Sequence, residues 1–333
     1  MKRLQLGFTL IELMVSLVLG LVIVGGATSL IVANRHSYRT NEALSQVQES
    51  ARTAFELLAR DVREAGITGC DSNGRMANVL DTDGGILWWQ TWFGIRGYEG
   101  NQTNPAISIS EPSAPRIAGT DTLNLQGIQG TGLTIETHDP VSANFKINAT
   151  TTDFMENDVL MVCDFDHAVM VQVTNYNANN VTVVHNTGEG VATPGNCSKG
   201  LGYPTVCSTT GNPYVFGRNS QVARLSALSW YIGNNGRAAE GGRSLYRRRL
   251  GAGATIQTEE VVAGVTDLQL SYREQGVDQF REANNVGNWA NVTAVMITLT
   301  LQSADQRVTD TATNSGRIER RFTNIVTLRN RVP

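Results

Sequence analysis

The 333-residue chain lacks the short motifs that mark most nucleotide-dependent and hydrolytic enzymes. It contains no P-loop, no dinucleotide-binding fingerprint and no Gly-x-Ser-x-Gly elbow. Its four histidines are dispersed, and none stands with a serine and an aspartate in a grouping that would support nucleophilic catalysis. We therefore expect a protein that is not an enzyme and needs no cofactor, and a membrane-anchored periplasmic enzyme is the alternative from another class.

Lysine is scarce, and the formal net charge is −3 with a pI of about 5.9. Because no global basic field is present, we expect no nucleic-acid partner. One local basic patch, Arg243 with Arg247, Arg248 and Arg249, has no interleaved aromatic residues and is typical of a charged edge strand. The abundance of Gly, Asn and Thr favours a β-rich, turn-rich exported domain.

Two short acidic clusters are the candidates for a metal site. The stretch Asp81-x-Asp83-Gly84 has the beginning of a calcium loop, but it lacks the further oxygens and the terminal bidentate Glu of such loops. The stretch Asp164-Phe165-Asp166-His167 places two carboxylates and an imidazole between two predicted strands. Solvated turns explain both clusters, so no metal is expected.

The N-terminal region has no proline between Phe8 and Ala65, and no small-residue cleavage site follows its apolar run. That run extends from Leu10 to Ala33, and about 20 apolar residues in a helix span a bilayer. Lys2 and Arg3 precede it, which places the N-terminus in the cytoplasm. A carboxylate inside such a segment is costly and indicates a function, and here it belongs to Glu12.

The stretch Gly7-Phe8-Thr9-Leu10-Ile11-Glu12 resembles the signature of type IV prepilins. The resemblance implies cleavage between Gly7 and Phe8 by a prepilin peptidase, N-methylation of Phe8, and retention of the apolar segment in the bacterial inner membrane. It also implies a partner for Glu12, the charged N-terminal amine of a neighbouring mature pilin. Such a pair would fix the axial register of helices that are otherwise free to slide.

A second, amphipathic segment follows the membrane span. Its apolar residues recur every three or four positions and form one stripe on a helix: Leu44, Val47, Ala51, Phe55, Leu58, Val62 and Ala65. Gly66 is a suitable C-terminal stop. The predicted organisation is a leader at 1–7, one helix at 8–66 (8–33 transmembrane, 34–66 amphipathic) and an exported β-rich head at 67–333.

The head alternates apolar and polar residues with the period of strands. We predict strands at 159–163, 169–173, 181–184, 225–232, 265–272, 295–301 and 322–328. Asn235-Gly236 is typical of a tight hairpin. The expected fold class is α+β and pilin-like, with the long N-terminal helix packed on an antiparallel head of two linked sheets.

The four cysteines, Cys70, Cys163, Cys197 and Cys207, contain no CxxC pair, which disfavours zinc. Outside the cytoplasm they can form disulfides in three pairings, and the sequence does not choose among them. We prefer Cys197–Cys207 because these two bracket a short Gly/Pro-containing loop, and Cys70–Cys163 then follows by elimination.

Four aromatic residues, Trp88, Trp89, Trp92 and Phe93, cluster between two predicted loops. Core packing is the expected role of such a cluster, and a binding surface is the alternative.

Further stretches resemble the PilW family of minor pilins, among them Arg60-Asp61-Val62-Arg63-Glu64-Ala65-Gly66, Ser229-Trp230-Tyr231-Ile232-Gly233 and the ending Thr327-Leu328-Arg329-Asn330-Arg331. The resemblance implies a structural subunit that joins other minor pilins and the major pilin to prime a type IV pilus, at its tip beneath an adhesin. A J-type minor pseudopilin of type II secretion is the alternative. The helix lacks the proline that many major pilins carry, which bears on whether it melts during assembly.

Overall fold

The computed structural model describes residues 9–70, 75–187, 194–309 and 313–331. It begins with one helix of 55 residues, α1 (Leu10–Glu64), about 82 Å long at 1.5 Å per residue. Thr9 caps this helix, and the chain leaves it through Gly66, whose positive φ of 80° suits glycine. The predicted continuous helix is confirmed.

In the part of the chain that the structure describes, the head contains fourteen strands, five short 3₁₀ turns of three residues and one of four. The strands are β1 (Met76–Asn78), β2 (Ile95–Tyr98), β3 (Thr122–Asp139), β4 (Asn144–Ile147), β5 (Val159–Cys163), β6 (Ala168–Gln172), β7 (Asn175–Asn177), β8 (Thr182–Val184), β9 (Gln221–Asn234), β10 (Arg243–Leu250), β11 (Ile256–Ala263), β12 (Val265–Glu274), β13 (Val292–Gln302) and β14 (Glu319–Thr327).

Eleven of these strands form one large sheet, in which β1, β6, β5, β9, β3, β4, β8 and β7 are neighbours in that order. The long strands β3 and β9 pair antiparallel along most of their length and organise the sheet. β2 adds to β3, β10 adds to β9, and β11 is hydrogen-bonded to β10 alone. All pairs are antiparallel except β1 with β6, which is parallel.

The remaining strands form a second, antiparallel sheet in the order β12-β13-β14. The second half of α1 packs between the two sheets, and its buried residues lie only from Ala43 onward. The shared core includes Leu58 and Val62 of the helix, Trp230 of β9 and Ile297 of β13. This core is the largest apolar cluster, so its burial supplies the main stabilisation of the helix-to-head junction.

A second core lies among β4, β5, β6, β8 and the first part of β9, without any helix residue. A third apolar cluster holds Trp89 with Met161, Met170 and Leu225.

The α+β fold with two sheets is confirmed, and every predicted strand corresponds to an observed one. The predicted tight hairpin at Asn235-Gly236 is wrong, because β9 and β10 are joined by residues 235–242, which include a 3₁₀ turn at Ala238–Glu240. The parallel β1–β6 pair also departs from the expected purely antiparallel head.

Candidate assembly helix and its attachment to the head

The first part of α1 has no contact that would bury it in the protein. Every residue from 9 to 39 is exposed, and an 18-residue window of the helix has a mean hydropathy of 2.4 with no buried residue. An apolar surface of this size requires a non-aqueous environment. α1 is therefore one continuous helix with an exposed apolar half and a second half that packs against the head.

Glu12 lies in the first turn of the helix and completes a capping box with Thr9. Its carboxylate accepts hydrogen bonds from the backbone N–H of Thr9 at 3.0 Å and from the Thr9 hydroxyl at 2.9 Å. The Thr9 hydroxyl oxygen in turn accepts from the backbone N–H of Glu12 at 3.4 Å. The Glu12 side chain, which is notable in the sequence for its charge, thus also pairs with the backbone N–H of Thr9, which has no partner within the helix. Gly7 and Phe8 lie outside the described residues.

The packed half of the helix is joined to the head by a buried ionic cluster around Asp61. One oxygen of Asp61, Oδ2, accepts a hydrogen bond of 3.1 Å from the indole Nε1 of Trp230 and another of 3.1 Å from Arg247. The Arg247 guanidinium lies 5.3 Å from the centre of the Trp230 ring and also bonds Glu259 at 2.5 Å. Although burial lowers the pKa of Arg247, the carboxylates of Asp61 and Glu259 raise it above its ordinary value.

The end of the helix is also pressed against β3. The backbone N–H of Gly66 donates to the carbonyl of Gln126 at 2.6 Å, and a Cβ on Gly127 would lie 2.8 Å from the carbonyl oxygen of Glu64. Only glycine allows two backbones to approach this closely. Together with the Asp61 cluster, this contact fixes the direction in which the helix leaves the head.

Two family models match the chain. The model for the type IV pilus-assembly protein W matches residues 229–330, and the model for the prokaryotic N-terminal methylation motif matches residues 2–28. The two matches together support a type IV pilin of the PilW family. No curated protein and no solved structure matches it. Trp230 and Arg247 lie within the PilW match, so the partners of Asp61 belong to the part of the chain by which the family is recognised.

The N-methylation signal and the exposed apolar helix fit anchoring of this chain in the inner membrane before pilus assembly. Glu12 lies within the segment that the methylation-motif model matches.

The pilin contains two disulfides, Cys70–Cys163 and Cys197–Cys207, which are the pairs preferred from the sequence. The first joins the segment after α1 to the end of β5, and the second closes a loop with a sequence separation of 10 residues. The four sulfurs are therefore joined in two pairs, and none of them is available as a thiolate ligand for a metal.

The two acidic clusters are hydrogen-bonded turns. Asp81 Oδ1 accepts from the backbone N–H of Asp83 at 2.9 Å. Asp166 bonds Arg75 at 2.8 Å and His167 at 2.9 Å, and Asp164 accepts from the Tyr214 hydroxyl at 2.7 Å. Within residues 9–70, 75–187, 194–309 and 313–331, no group of three or more His, Cys, Asp and Glu side chains could hold a metal ion.

The structure also brings together two histidines that are far apart in sequence, with ring centres 5.4 Å apart. Nδ1 of His138 accepts a hydrogen bond of 3.0 Å from the backbone N–H of Phe216. A neutral imidazole that accepts at Nδ1 carries its proton on Nε2, so His138 offers no free lone pair to a metal. Burial lowers the pKa of His138 to about 4 and that of His185 to about 3.

Folding separates the arginines of the basic patch, whereas the tryptophans of the aromatic cluster pack in one apolar core. Arg243 donates to the Thr266 carbonyl at 2.9 Å, Arg247 belongs to the Asp61 cluster, and Arg248 pairs with Glu111 at 2.7 Å. Trp89 is buried in the third apolar cluster, and the half-buried Trp88 and Trp92 pack against that cluster. Phe93 is half-buried and, with Trp92, lines a groove at the end of α1. The predicted core packing is therefore confirmed for the three tryptophans.

The sequence alone pointed to Glu12 but missed Asp61 as a structural residue. The available signal was its spacing, because Asp61 follows Leu58 by three positions and so falls on the buried stripe of the helix. A carboxylate on such a stripe requires a partner from another element.

Proposed function

We propose that this pilin is a minor pilin that assembles with other minor pilins and the major pilin to prime a type IV pilus, at the tip of the filament beneath an adhesin. One observation carries the proposal: a single rigid helix has an entirely unburied apolar half and a second half locked into the head. Such a helix can remain in the membrane as an anchor and then become part of the core of a helical filament. The family match supports a pilus over a secretion pseudopilus.

The proposed division of the chain follows from this role. Residues 1–7 are a leader that a prepilin peptidase removes between Gly7 and Phe8, and Phe8 becomes the N-methylated N-terminus. Residues 8–33 span the membrane, 34–66 couple the span to the head, and 67–333 form the head that selects partners.

In this proposal Glu12 acts through its charge. In the membrane it is held by its own capping box with Thr9, which lowers the cost of burying the carboxylate by satisfying two of its lone pairs. On assembly the carboxylate pairs with the N-terminal amine of a neighbouring subunit. Because the rest of the span is apolar and can slide, this pair sets the axial register.

Three variants separate the charge from the cap. Glu12→Leu removes both, Glu12→Gln removes the charge but keeps a side chain that completes a capping box, and Thr9→Val removes the cap but keeps the charge. The proposal expects all three to be cleaved and inserted in the inner membrane, and it expects Glu12→Leu and Glu12→Gln to be depleted from sheared pili while Thr9→Val is incorporated. Normal pilus number and normal twitching in a deletion strain would show that the priming role is wrong.

A further inference from the structure

A groove of about 990 Å³ lies where the end of α1, the segment before β2, the turn before β13 and the 3₁₀ turn at Arg329–Arg331 meet. Its walls include three half-buried aromatic side chains, those of Trp92, Phe93 and Trp289. None of the described residues that line this groove is acidic. A concave site of this size, with aromatic walls and a few polar groups, is typical of a ligand site.

One guanidinium group in the groove has no carboxylate partner. Arg331 donates from Nη1 to the carbonyls of Trp289 at 2.6 Å and Val292 at 3.2 Å, and it makes no other hydrogen bond or salt bridge with a described residue. Burial lowers the pKa of Arg331, and no carboxylate of the described residues opposes this shift. Nε and Nη2 therefore remain as an unpaired edge of two donors, which is a geometry that binds a carboxylate bidentately.

Two glycines keep this edge of the guanidinium uncovered. A Cβ on Gly66 would lie 3.5 Å from Nη2 and 3.6 Å from Nε of Arg331, and 3.1 Å from Nδ2 of Asn330. A Cβ on Gly94 would lie 2.8 Å from Nη2. Asn330 is exposed, and its side chain bonds no described residue. Three donor nitrogens therefore lie together beside Gly66, in a space that a larger side chain at position 66 or 94 would enter.

Two acidic side chains that contact residues of the groove are already bonded to other groups. Asp166 pairs with Arg75 at 2.8 Å. Glu274 accepts from the backbone N–H of Gly287 at 3.2 Å and from that of Asn288 at 2.8 Å. The groove therefore keeps one positive charge that no carboxylate of the described residues balances.

Aromatic residues adjoin the three donors. Phe93 is next in sequence to Gly94, which is packed against Nη2 of Arg331, and Trp289 supplies a carbonyl to Nη1. The Trp289 ring is held in place by edge-on packing on the buried Tyr272 ring, with ring centres 4.8 Å apart. A carboxylate bound at the donors would thus bring the residues beside it onto aromatic surfaces.

We propose that this groove binds an extended peptide in which one Asp or Glu stands between two aromatic or large apolar residues. The carboxylate accepts from Nε and Nη2 of Arg331 and from the amide of Asn330. The two flanking side chains pack on the aromatic walls of the groove. The inference goes beyond the proposed function and does not depend on it, because each test measures binding to the purified protein.

The first test compares two peptides on the full-length protein in detergent. Binding of the acidic probe acetyl-Gly-Phe-Asp-Phe-Gly-amide should change the tryptophan fluorescence, because Trp92 and Trp289 line the groove. We expect it to bind about tenfold or more tightly than the neutral probe acetyl-Gly-Phe-Asn-Phe-Gly-amide, which lacks only the charge. Equal dissociation constants for the two probes would overturn the inference.

A carboxylate built into the protein should occupy the site in place of the ligand. Asn330→Asp puts one beside Arg331 by changing an exposed side chain, and we expect it to weaken binding of the acidic probe about tenfold or more. Asn324→Asp adds the same charge on the exposed part of β14, and this matched control should change the dissociation constant less than about twofold. Wild-type affinity in Asn330→Asp would contradict the site.

A third variant tests the bidentate contact itself. Arg331→Lys keeps the positive charge but removes the planar pair of donors, so we expect binding of the acidic probe to fall about fivefold or more. Wild-type affinity in this variant would exclude the bidentate contact. Because Arg331 also bonds two backbone carbonyls, its melting temperature is compared with that of the wild type, and Asn330→Asp decides the question if Arg331→Lys is unstable.

Two further probes identify the source of the carboxylate. Acetyl-Gly-Phe-Phe carries it at the chain end, and trigalacturonic acid carries carboxylates on sugar rings without apolar side chains. We expect both to bind about tenfold or more weakly than the acidic probe, because neither places a carboxylate between two aromatic side chains. Tighter binding of either one than of the acidic probe would overturn the proposed ligand.

Discussion

The indole nitrogen of Trp230 donates a hydrogen bond of 3.1 Å to the buried carboxylate of Asp61, and this contact joins the long helix to the large sheet. The two residues are 169 positions apart in the sequence. Arg247 completes the cluster from the adjacent strand and keeps the buried carboxylate paired. Force or torque on the membrane half of the helix is therefore transmitted to the head through defined contacts as well as through apolar packing.

Removing the carboxylate should weaken this junction strongly. Asp61→Ala leaves the Arg247 charge buried with one fewer partner, so we expect a loss of about 3–5 kcal/mol in the free energy of unfolding, measured by denaturant titration in detergent. Trp230→Phe removes only a donor and should cost about 1–3 kcal/mol, apart from any packing change. The control Arg52→Ala breaks an exposed pair and should cost less than about 1 kcal/mol. Equal losses for Asp61→Ala and Arg52→Ala would contradict the role of the cluster.

The close approach of α1 to β3 gives a second prediction. Gly127→Ala places a methyl group 2.8 Å from the carbonyl oxygen of Glu64, so the helix end or the strand must move. We expect the free energy of unfolding to fall by about 1–3 kcal/mol and proteolysis at the junction between α1 and β3 to be faster. Gly217→Ala is the matched control, because a Cβ there meets nothing within 4 Å. The account of the junction is wrong if the two glycine variants have the same melting temperature.

His185 should make the second core sensitive to acid. Burial lowers the pKa of His185 from 6.5 to about 3, so the folded state binds fewer protons than the unfolded state between these values. Stability from this residue is present above pH 6.5 and is lost as the pH falls toward 3, by at most about 1.4 kcal/mol per pH unit. We expect His185→Phe to lower the slope of unfolding free energy against pH in this window relative to that of the wild type, measured by denaturant titration across the window. An unaltered slope in His185→Phe would exclude this residue as the cause.

Asp121 should change the stability of the fold with pH in the direction opposite to that of His185. Burial raises its pKa from 3.8 to about 7, against the hydrogen bond that it accepts from the backbone N–H of Leu270 at 2.8 Å. The folded state therefore binds more protons than the unfolded state, and stability falls as the pH rises from 3.8 to 7, again by at most about 1.4 kcal/mol per pH unit.

Asp121→Asn keeps an acceptor for Leu270 and should remove this fall, so that the stability of the variant rises with pH through the remaining contribution of His185. The contributions of Asp121 and His185 to the pH dependence of stability have opposite signs between pH 3.8 and 6.5. In that range the unfolding free energy of the wild type should therefore change less with pH than that of either variant. Chemical denaturation of the three proteins at pH 4, 5, 6 and 7 measures the difference. A steeper fall of stability with pH in Asp121→Asn than in the wild type would contradict the assignment.

The helix was predictable because its signals are local. The unbroken apolar run, the absence of proline up to Ala65 and the glycine after Ala65 all lie within one continuous segment. The strands were predictable for the same reason, since alternation over five to ten residues is visible without knowledge of the partners.

What could not be predicted depends on contacts across the fold. The partners of Asp61 are 169 and 186 positions away, and the parallel pairing of the three-residue strand β1 with β6 leaves no periodic signal in so short a segment. The unequal burial of the tryptophans has the same cause, because Trp89 is buried against the large sheet while Trp88 and Trp92 pack beside it and are only half-buried.

The most direct measurement of the central claim is mass spectrometry of the N-terminus of this chain in sheared, purified pili. The account predicts a mature protein that begins at N-methylated Phe8, lacks residues 1–7 and is present in the pilus fraction. Absence from that fraction, with a chain that keeps residues 1–7 and stays in the inner membrane, would contradict it.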